Sequence, residues 1–260
     1  MDFSNALRQL SQAQKPARGV SLYARFVNRP AGRVLAAAAH RAGLLPNHVT
    51  AVSALVTFTA IAATALLPPS RTLGACVAVT LALGFALDSA DGQLARLHRS
   101  TSRAGEWLDH LMDCGKLLGI HAAVLISCYR WFDLPRPALL LLPIAFQFVA
   151  VLLFFGGILA EQLRRRAAEA AVAAGGRAAA VPPPSTLRAV ALLPLDYGLL
   201  CLVFLFLGDE RLFFALYVTL LAAHVLLLPV FVAKWFRELS GRPRTEPSRT
   251  VRHEGASNIA

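Results

Sequence analysis

Four aspartates in a short and otherwise apolar stretch constrain this chain more than any other feature of the sequence. Asp88 and Asp91 are three residues apart, and Asp109 and Asp113 are four apart, so on helices each pair shares one face. The polar link between the pairs, residues 97–104, can fold two such helices antiparallel. Carboxylates that meet in this way repel one another unless cations lie between them, and charges among apolar residues are costly. The stretch therefore predicts a functional site.

The residue types around the aspartates indicate which ligands this site takes. Oxygen ligands without nitrogen or sulfur favour a hard cation such as Mg²⁺ or Mn²⁺ over zinc. Gly92, Ala95 and Gly105 fall on the acidic faces, and their small size lets a bulky ligand approach the backbone. Arg96 adds a fixed positive charge that suits a phosphate group. We expect a divalent metal site next to a phosphate site.

The surrounding sequence is that of a membrane protein. Of the 260 residues, 56% are hydrophobic and only 16% are charged. Apolar runs near the length needed to cross a bilayer recur six times, and the second and third of them carry the aspartates. We expect an all-α integral membrane protein with six transmembrane helices, at about 50–68, 72–97, 104–129, 137–160, 187–207 and 210–236.

The segment before the first span has a different character. Residues 1–18 are polar and predict a weakly ordered start. Residues 20–44 carry an arginine near every fourth position among apolar residues, which predicts an amphipathic helix on the membrane surface, bent or split at Pro30. The predicted organisation is an N-terminal segment (1–45), a six-helix catalytic domain (46–237) and a disordered cytoplasmic tail (238–260).

The distribution of basic residues predicts the orientation. A net charge of +11 could suggest nucleic acid, but the lysines and arginines flank the apolar runs, which favours lipid headgroups and argues against nucleic acid. With both termini inside, 21 of the 26 basic residues fall in cytoplasmic segments and four in outside loops. We expect a multi-pass protein of the bacterial cell membrane, with its site on the cytoplasmic side.

The spacing of the acidic stretch resembles a family signature. From Asp88 to Asp113 the sequence meets every fixed position of D-x-x-D-G-x-x-A-R-(x8)-G-x-x-x-D-x-x-x-D, the pattern of the CDP-alcohol phosphotransferases. The resemblance implies a metal-dependent transferase of phospholipid biosynthesis. Such an enzyme moves a phospho-alcohol or phosphatidyl group from a CDP-linked donor to an acceptor hydroxyl and releases CMP. The donor could be CDP-diacylglycerol with a small polar acceptor, or a soluble CDP-alcohol with a lipid or polyol acceptor.

The resemblance also implies roles for individual residues. The first three aspartates of the signature would hold two Mg²⁺ or Mn²⁺ ions, and the last, Asp113, would be both a ligand and the general base. The nucleotide and diphosphate of the donor would be bound by Gly92, Ala95, Arg96 and Gly105. Members of the family commonly form homodimers, so a second copy of the chain is an expected partner, together with membrane lipids.

Four residues outside the signature have two interpretations each. Asn47 and Thr50 precede the first span, where Asn47 could cap the helix or both could border the donor site. Lys116 could neutralise the acidic cluster or hold a substrate phosphate. Asp196 lies within an apolar run and could pair with Lys116 or bind the acceptor. The last three spans carry no mid-span arginine, which disfavours an acceptor that has its own phosphate.

A different class of protein could also use buried carboxylates. A transporter for divalent cations, or one coupled to protons, would explain the acidic residues. It would not explain the glycines, alanine and arginine at fixed spacing. Flux of metal without release of CMP would distinguish it from the transferase.

Overall fold

A computed structural model describes residues 3–12, 21–100, 102–175, 190 and 192–241, and every regular element in these ranges is helical. The α-helices are α1 (Phe3–Gln12), α2 (Arg29–Arg41), α3 (Pro46–Leu66), α4 (Arg71–Leu97), α5 (Arg103–Trp131), α6 (Leu141–Ala173), α7 (Tyr197–Val203) and α8 (Glu210–Ser240). A π-helical turn spans Ala24–Asn28, and short 3₁₀ segments span Pro137–Leu140, Leu193–Leu195 and Phe204–Phe206.

Five of the helices in the described part of the chain are long and apolar enough to cross a membrane. They are α3, α4, α5, α6 with its preceding 3₁₀ turn, and α8. Large apolar side chains such as Leu55, Phe148 and Leu226 are exposed on them, as expected where lipid or another protein covers the surface. The all-α multi-pass architecture is therefore confirmed, whereas the predicted count of six spans is not.

The difference lies in the predicted fifth span, 187–207. Part of this range lies outside the described residues, and the rest is broken into short helices, the apolar one being Tyr197–Phe206. Pro194 and the extended backbone of Asp196 (φ −76°, ψ 125°) interrupt the helical hydrogen bonds ahead of α7. A helix as long as Tyr197–Phe206 rises about 15 Å, which is half the thickness of a bilayer core.

Side-chain caps determine where several of the long helices begin. The hydroxyl of Ser70 accepts a hydrogen bond from the Leu73 amide at the start of α4, and Ser102 accepts one from the Gly105 amide at the start of α5, each at 3.0 Å. Between these two helices Arg99 takes a left-handed backbone (φ 50°) directly after α4. The chain therefore turns sharply where α4 ends, as the short polar link predicts.

Helix α3 is the element that positions the acidic helices. Both α4 and α5 pack against α3 more closely than against each other, which leaves space between their acidic faces. The Ser53 hydroxyl of α3 donates to the backbone oxygen of Gly84 on α4 at 2.9 Å. A side-chain carbon at Gly84 would collide with Thr57, so this close approach of the two helices requires glycine.

The N-terminal segment is more ordered than its polar sequence indicates. Residues Phe3–Gln12 form α1, although residues 1–18 predict a weakly ordered start. Ala6 and Leu10 are four apart and fully buried against α2 and the end of α4. Pro30 lies in the first turn of α2, directly after the π-helical turn. The location of α2 on the membrane surface stays a prediction, as do the three domain boundaries.

Candidate active site

The two acidic faces converge in the folded chain. Carboxylate oxygens of Asp88 and Asp91 from α4 and of Asp109 from α5 lie within 4.8 Å of one another. Asp91 is buried, and the other two are partly exposed. Three oxygen ligands at this separation can contact one divalent cation.

Lys116 joins the fourth aspartate to this group. Its ammonium donates to the carboxylates of Asp88 and of Asp113, the latter at 3.2 Å, and to the Ser53 hydroxyl at 3.3 Å. Only 7% of the Lys116 side chain is exposed, so these ion pairs are shielded from water. Of the two predicted roles, the geometry favours neutralisation of the acidic cluster, because the ammonium already has three partners.

A hydroxyl from α3 holds one of the acidic side chains. Thr50 donates to Oδ2 of Asp91 at 2.7 Å, and both residues are buried. This contact restricts the rotation of the Asp91 carboxylate and leaves its other oxygen for a ligand. Thr50 thus acts on the site through Asp91 in addition to its predicted place beside the donor.

A polar cavity of about 700 Å³ opens on the Asp91 and Asp109 side of the cluster. All six residues predicted to bind the donor line it, namely Asn47, Thr50, Gly92, Ala95, Arg96 and Gly105. A side-chain carbon at Gly92 would come no closer than 3.6 Å to its nearest neighbour, the Arg96 guanidinium, so open space lies against this backbone. The cavity has the size to admit a nucleotide diphosphate, and the Arg96 guanidinium in its wall offers the phosphates a positive charge. Asn47 makes no cap here, since the residue ahead of α3 is Leu45.

The rim of this polar cavity contains side chains that the signature does not reveal. Arg165 of α6 donates to Glu106 of α5 at 2.9 Å, and Gln162 donates to the same carboxylate at 3.2 Å. Arg103 also lines the cavity. Their signal in the sequence is weak, because charged residues at helix ends are common and α6 is distant from the signature.

A second cavity of about 350 Å³ lies on the Asp88 and Asp113 side of the same cluster. We call it the apolar cavity, because most of its walls are hydrocarbon. Its lining residues are Thr57, Phe85, Asp88, Asp113, Lys116, Leu117, Ala150, Leu153, Phe154, Leu192, Leu195, Tyr197, His224, Phe231 and Trp235. The acidic cluster therefore separates two spaces of different chemistry.

Asp196 has a structural role in the folded chain. Its carboxylate caps α7 by accepting from the Gly198 amide at 2.7 Å, and it accepts from the Ala24 amide at 3.2 Å. Asp196 is absent from the residues that line the apolar cavity, and Lys116 pairs with Asp88 and Asp113 instead. A role for Asp196 in acceptor binding stays a prediction that this geometry does not support.

Comparison with known proteins identifies the family to which the chain belongs. The family model for CDP-alcohol phosphatidyltransferase matches residues 43–235, so the chain belongs to this family and is a phosphotransferase. No curated protein matches the sequence significantly.

Two crystal structures of the phosphatidylinositol phosphate synthase of Mycobacterium tuberculosis are similar in fold. The complex with manganese and citrate has a TM-score of 0.51 and 19% identity, and the match covers 80% of this chain and 91% of that one. The complex with CDP-DAG has a TM-score of 0.51 and 18% identity, with 84% and 98% covered. At this low sequence identity, the similarity to these two structures shows a common fold and no more.

Proposed function

We propose that this protein transfers a phosphate-linked group from a CDP-linked donor to an acceptor hydroxyl, with release of CMP, in the synthesis of phospholipids. The observation that carries the proposal is the convergence of Asp88, Asp91 and Asp109 at the boundary of the polar and apolar cavities. A site of this kind can hold two reactants on opposite sides of one group of carboxylates. Family membership supports the reaction class.

The donor belongs in the polar cavity. Arg96 offers a bidentate positive charge to the diphosphate, and Gly92 leaves room against the backbone for the rest of the nucleotide. Asn47 and Thr50 border the same space. Both donor types, CDP-diacylglycerol and a soluble CDP-alcohol, fit this description, because they share the CDP group.

The aspartates would hold two Mg²⁺ or Mn²⁺ ions. The oxygens of Asp88, Asp91 and Asp109 are close enough to share an ion, and their hard-oxygen chemistry fits these metals. We assign Asp113 as a further ligand. When bound, such ions offset negative charge on the phosphoryl oxygens and on the departing CMP.

Asp113 then accepts a proton in the transfer step. The oxygen of the acceptor hydroxyl forms a bond to the β-phosphorus of the donor, and the bond from that phosphorus to the bridging oxygen breaks. CMP leaves with the electron pair, and the hydroxyl proton passes to the Asp113 carboxylate. Asp113 borders the apolar cavity and contacts Lys116, which holds its position.

Release of CMP tests the proposal. The purified full chain in detergent, supplied with Mn²⁺, a set of CDP-linked donors and a set of alcohols, should release CMP, and EDTA should abolish the release. Asp91→Asn should be inactive, whereas Asp133→Asn, which alters an exposed aspartate in the loop after α5, should be fully active. Metal flux into vesicles without CMP release would favour the transporter instead.

The cellular arrangement is part of the same proposal. We infer that the polar cavity opens to the cytoplasm of a bacterial cell, with both termini inside, because 21 of the 26 basic residues would then be cytoplasmic. We also infer a homodimer in the membrane. In the most apolar 18-residue stretch of α6 only 22% is buried within the chain, and in that of α8 only 17%. Both helices therefore leave apolar surface for lipid or for a second copy.

A further inference from the structure

We propose that three arginines of the N-terminal segment bind the phosphate of an anionic phospholipid, and that this lipid stabilises the folded protein. The site combines two neighbouring rows of side chains. We call them the arginine stripe, which is Arg25, Arg29 and Arg33, and the apolar stripe, which is Phe26, Pro30 and Val34. None of these six residues lines the polar or the apolar cavity, so the inference goes beyond the proposed transferase function.

One face of this segment is fixed against α4, which leaves the two stripes on its other sides. Gln93 of α4 donates to the backbone oxygen of Arg29 at 3.1 Å, and a side-chain carbon at Gly32 would collide with Ser89 of α4. The arginines recur at every fourth position from the π-helical turn into α2, so they lie along one side of the segment. Each residue of the apolar stripe directly follows an arginine, and the two stripes therefore run next to each other.

The arginine stripe has positive charge that its surroundings do not neutralise. Residues 21–41 contain no Asp or Glu. Among the described residues, neither Arg25 nor Arg33 has a carboxylate within ion-pair distance, and Nε of Arg33 is buried without a hydrogen-bond partner. Burial lowers the pKa of the Arg29 guanidinium, and the positive charge of Arg25 lowers it further. A bound phosphate would offset this repulsion and would supply hydrogen-bond acceptors.

The apolar stripe selects a phospholipid among the possible anions. Phe26 and Val34 are 64% and 51% exposed, although they lie outside the candidate membrane spans. Large exposed apolar side chains beside a row of positive charge match a ligand that has both an anionic group and hydrocarbon. A phospholipid has both, because its phosphate and its acyl chains are joined through one glycerol. Inorganic phosphate and nucleic acid have no hydrocarbon to cover the apolar stripe.

The position of α2 puts both stripes at the level of lipid headgroups. Helix α2 ends at Arg41, and the candidate span α3 begins shortly afterwards at Pro46. Helix α2 also packs against the last part of α4, where Ala90 and Leu94 are buried with it. The ends of membrane spans lie among headgroups, and anionic headgroups attract basic segments there by about 5-fold in affinity for each arginine.

Thermal unfolding of the purified full chain in detergent tests the site. Palmitoyl-oleoyl-phosphatidylglycerol (POPG) is titrated, and parallel samples contain the zwitterionic phosphatidylcholine with the same acyl chains, or inorganic phosphate. POPG should raise the Tm by about 2–4 °C in a saturable way, and the other two should leave it unchanged. An equal rise with phosphatidylcholine shows no selection for an anionic lipid and overturns the proposal. An equal rise with inorganic phosphate overturns the assignment to a lipid.

Variants locate the bound lipid on the two stripes. Replacing every residue of the arginine stripe with glutamine should lower the affinity for POPG about 100-fold. The matched control replaces three exposed arginines near the opposite ends of α4 and α5 and should keep the affinity of the wild type; its substitutions are Arg71→Gln, Arg130→Gln and Arg136→Gln. Phe26→Asn with Val34→Asn should also weaken binding. Unchanged affinity in the apolar-stripe variant, or an equal loss in the control, would contradict the assignment.

A further variant distinguishes this site from a lipid bound in the polar cavity. Arg96 lines that cavity and is close enough to Arg29 for their positive charges to repel. In Arg96→Gln the rise of Tm with POPG should persist. Loss of the rise in Arg96→Gln, together with its retention in the variant of the arginine stripe, would place the lipid in the polar cavity and overturn the proposal. No measurement here involves CMP release, so failure of the transferase function would leave this test intact.

Discussion

Thr50 on α3 donates its hydroxyl hydrogen to the carboxylate of Asp91 on α4 at 2.7 Å, and this contact fixes one member of the acidic cluster. The two residues are 41 positions apart, so the contact depends on the packing of α3 against α4. Through it, a side chain that need not touch a metal can influence how well the site binds one.

Thr50→Val should weaken Mn²⁺ binding. The substitution keeps the shape of the side chain but removes the hydrogen bond, so the Asp91 carboxylate is no longer held in one orientation. We expect about a 10- to 100-fold loss of Mn²⁺ affinity, measured by calorimetry in detergent. Thr50→Ser restores the hydroxyl and should restore the affinity. Equal affinity in the wild type and the valine variant would show that Thr50 does not position Asp91.

Asp113→Asn should abolish turnover while donor binding survives. At neutral pH an amide cannot take the proton from the hydroxyl of the acceptor substrate. We expect kcat to fall about 100- to 10,000-fold. The KM for the donor should change little, because the polar cavity lies on the other side of the cluster. Asp133→Asn, in the loop after the far end of α5, is the matched control. Unchanged kcat in Asp113→Asn would refute the assignment of Asp113 as general base.

Lys116→Met should make the stability of the protein depend on metal. Without the ammonium, Asp88 and Asp113 are left as close and shielded like charges, which we expect to cost about 3–5 kcal/mol. The Tm measured in EDTA should therefore fall, and Mn²⁺ should restore most of the loss by supplying positive charge. Lys234→Met removes a lysine of α8 that is half exposed and serves as the control. A Tm that is insensitive to Mn²⁺ in Lys116→Met would contradict this role.

Asp196 variants should separate helix capping from acceptor binding. Asp196→Asn keeps an oxygen that can cap α7 but loses the acceptor of the Ala24 amide, so we expect near-normal turnover and only part of the stability loss of the alanine variant. Asp196→Ala removes the cap and the contact with Ala24, and it should cost about 1 kcal/mol or more of stability. The measurements are the Tm and the KM for the acceptor. A raised acceptor KM in Asp196→Asn at an unchanged Tm would instead support the binding role.

Local spacing made the acidic cluster predictable. By helical periodicity Asp88 and Asp91 share one face of α4, and Asp109 and Asp113 share one face of α5. The link between the two helices is short, so the convergence of the two faces follows from a short segment. The membrane class follows from apolar composition. Both properties depend on residues that are close in sequence.

Contacts between helices that are distant in sequence could not be predicted from local spacing. The apolar cavity is lined by residues of α3, α4, α5, α6, α7 and α8, whose relative placement depends on packing between helices that are distant in sequence. Its one local signal was the spacing of His224, Phe231 and Trp235, which share a face of α8. The predicted fifth span is not confirmed for a different reason, because hydropathy does not detect the interruption that Pro194 and Asp196 impose on the backbone.

The two cavities on either side of the carboxylates have a kinetic consequence. If nucleotide and acceptor reach the reacting centre from different directions, neither has to leave before the other arrives, and both must be present together for turnover. Initial-rate plots should then intersect, as in a sequential mechanism. CMP should compete with the nucleotide donor and not with the acceptor, since CMP and the donor would occupy the same polar cavity.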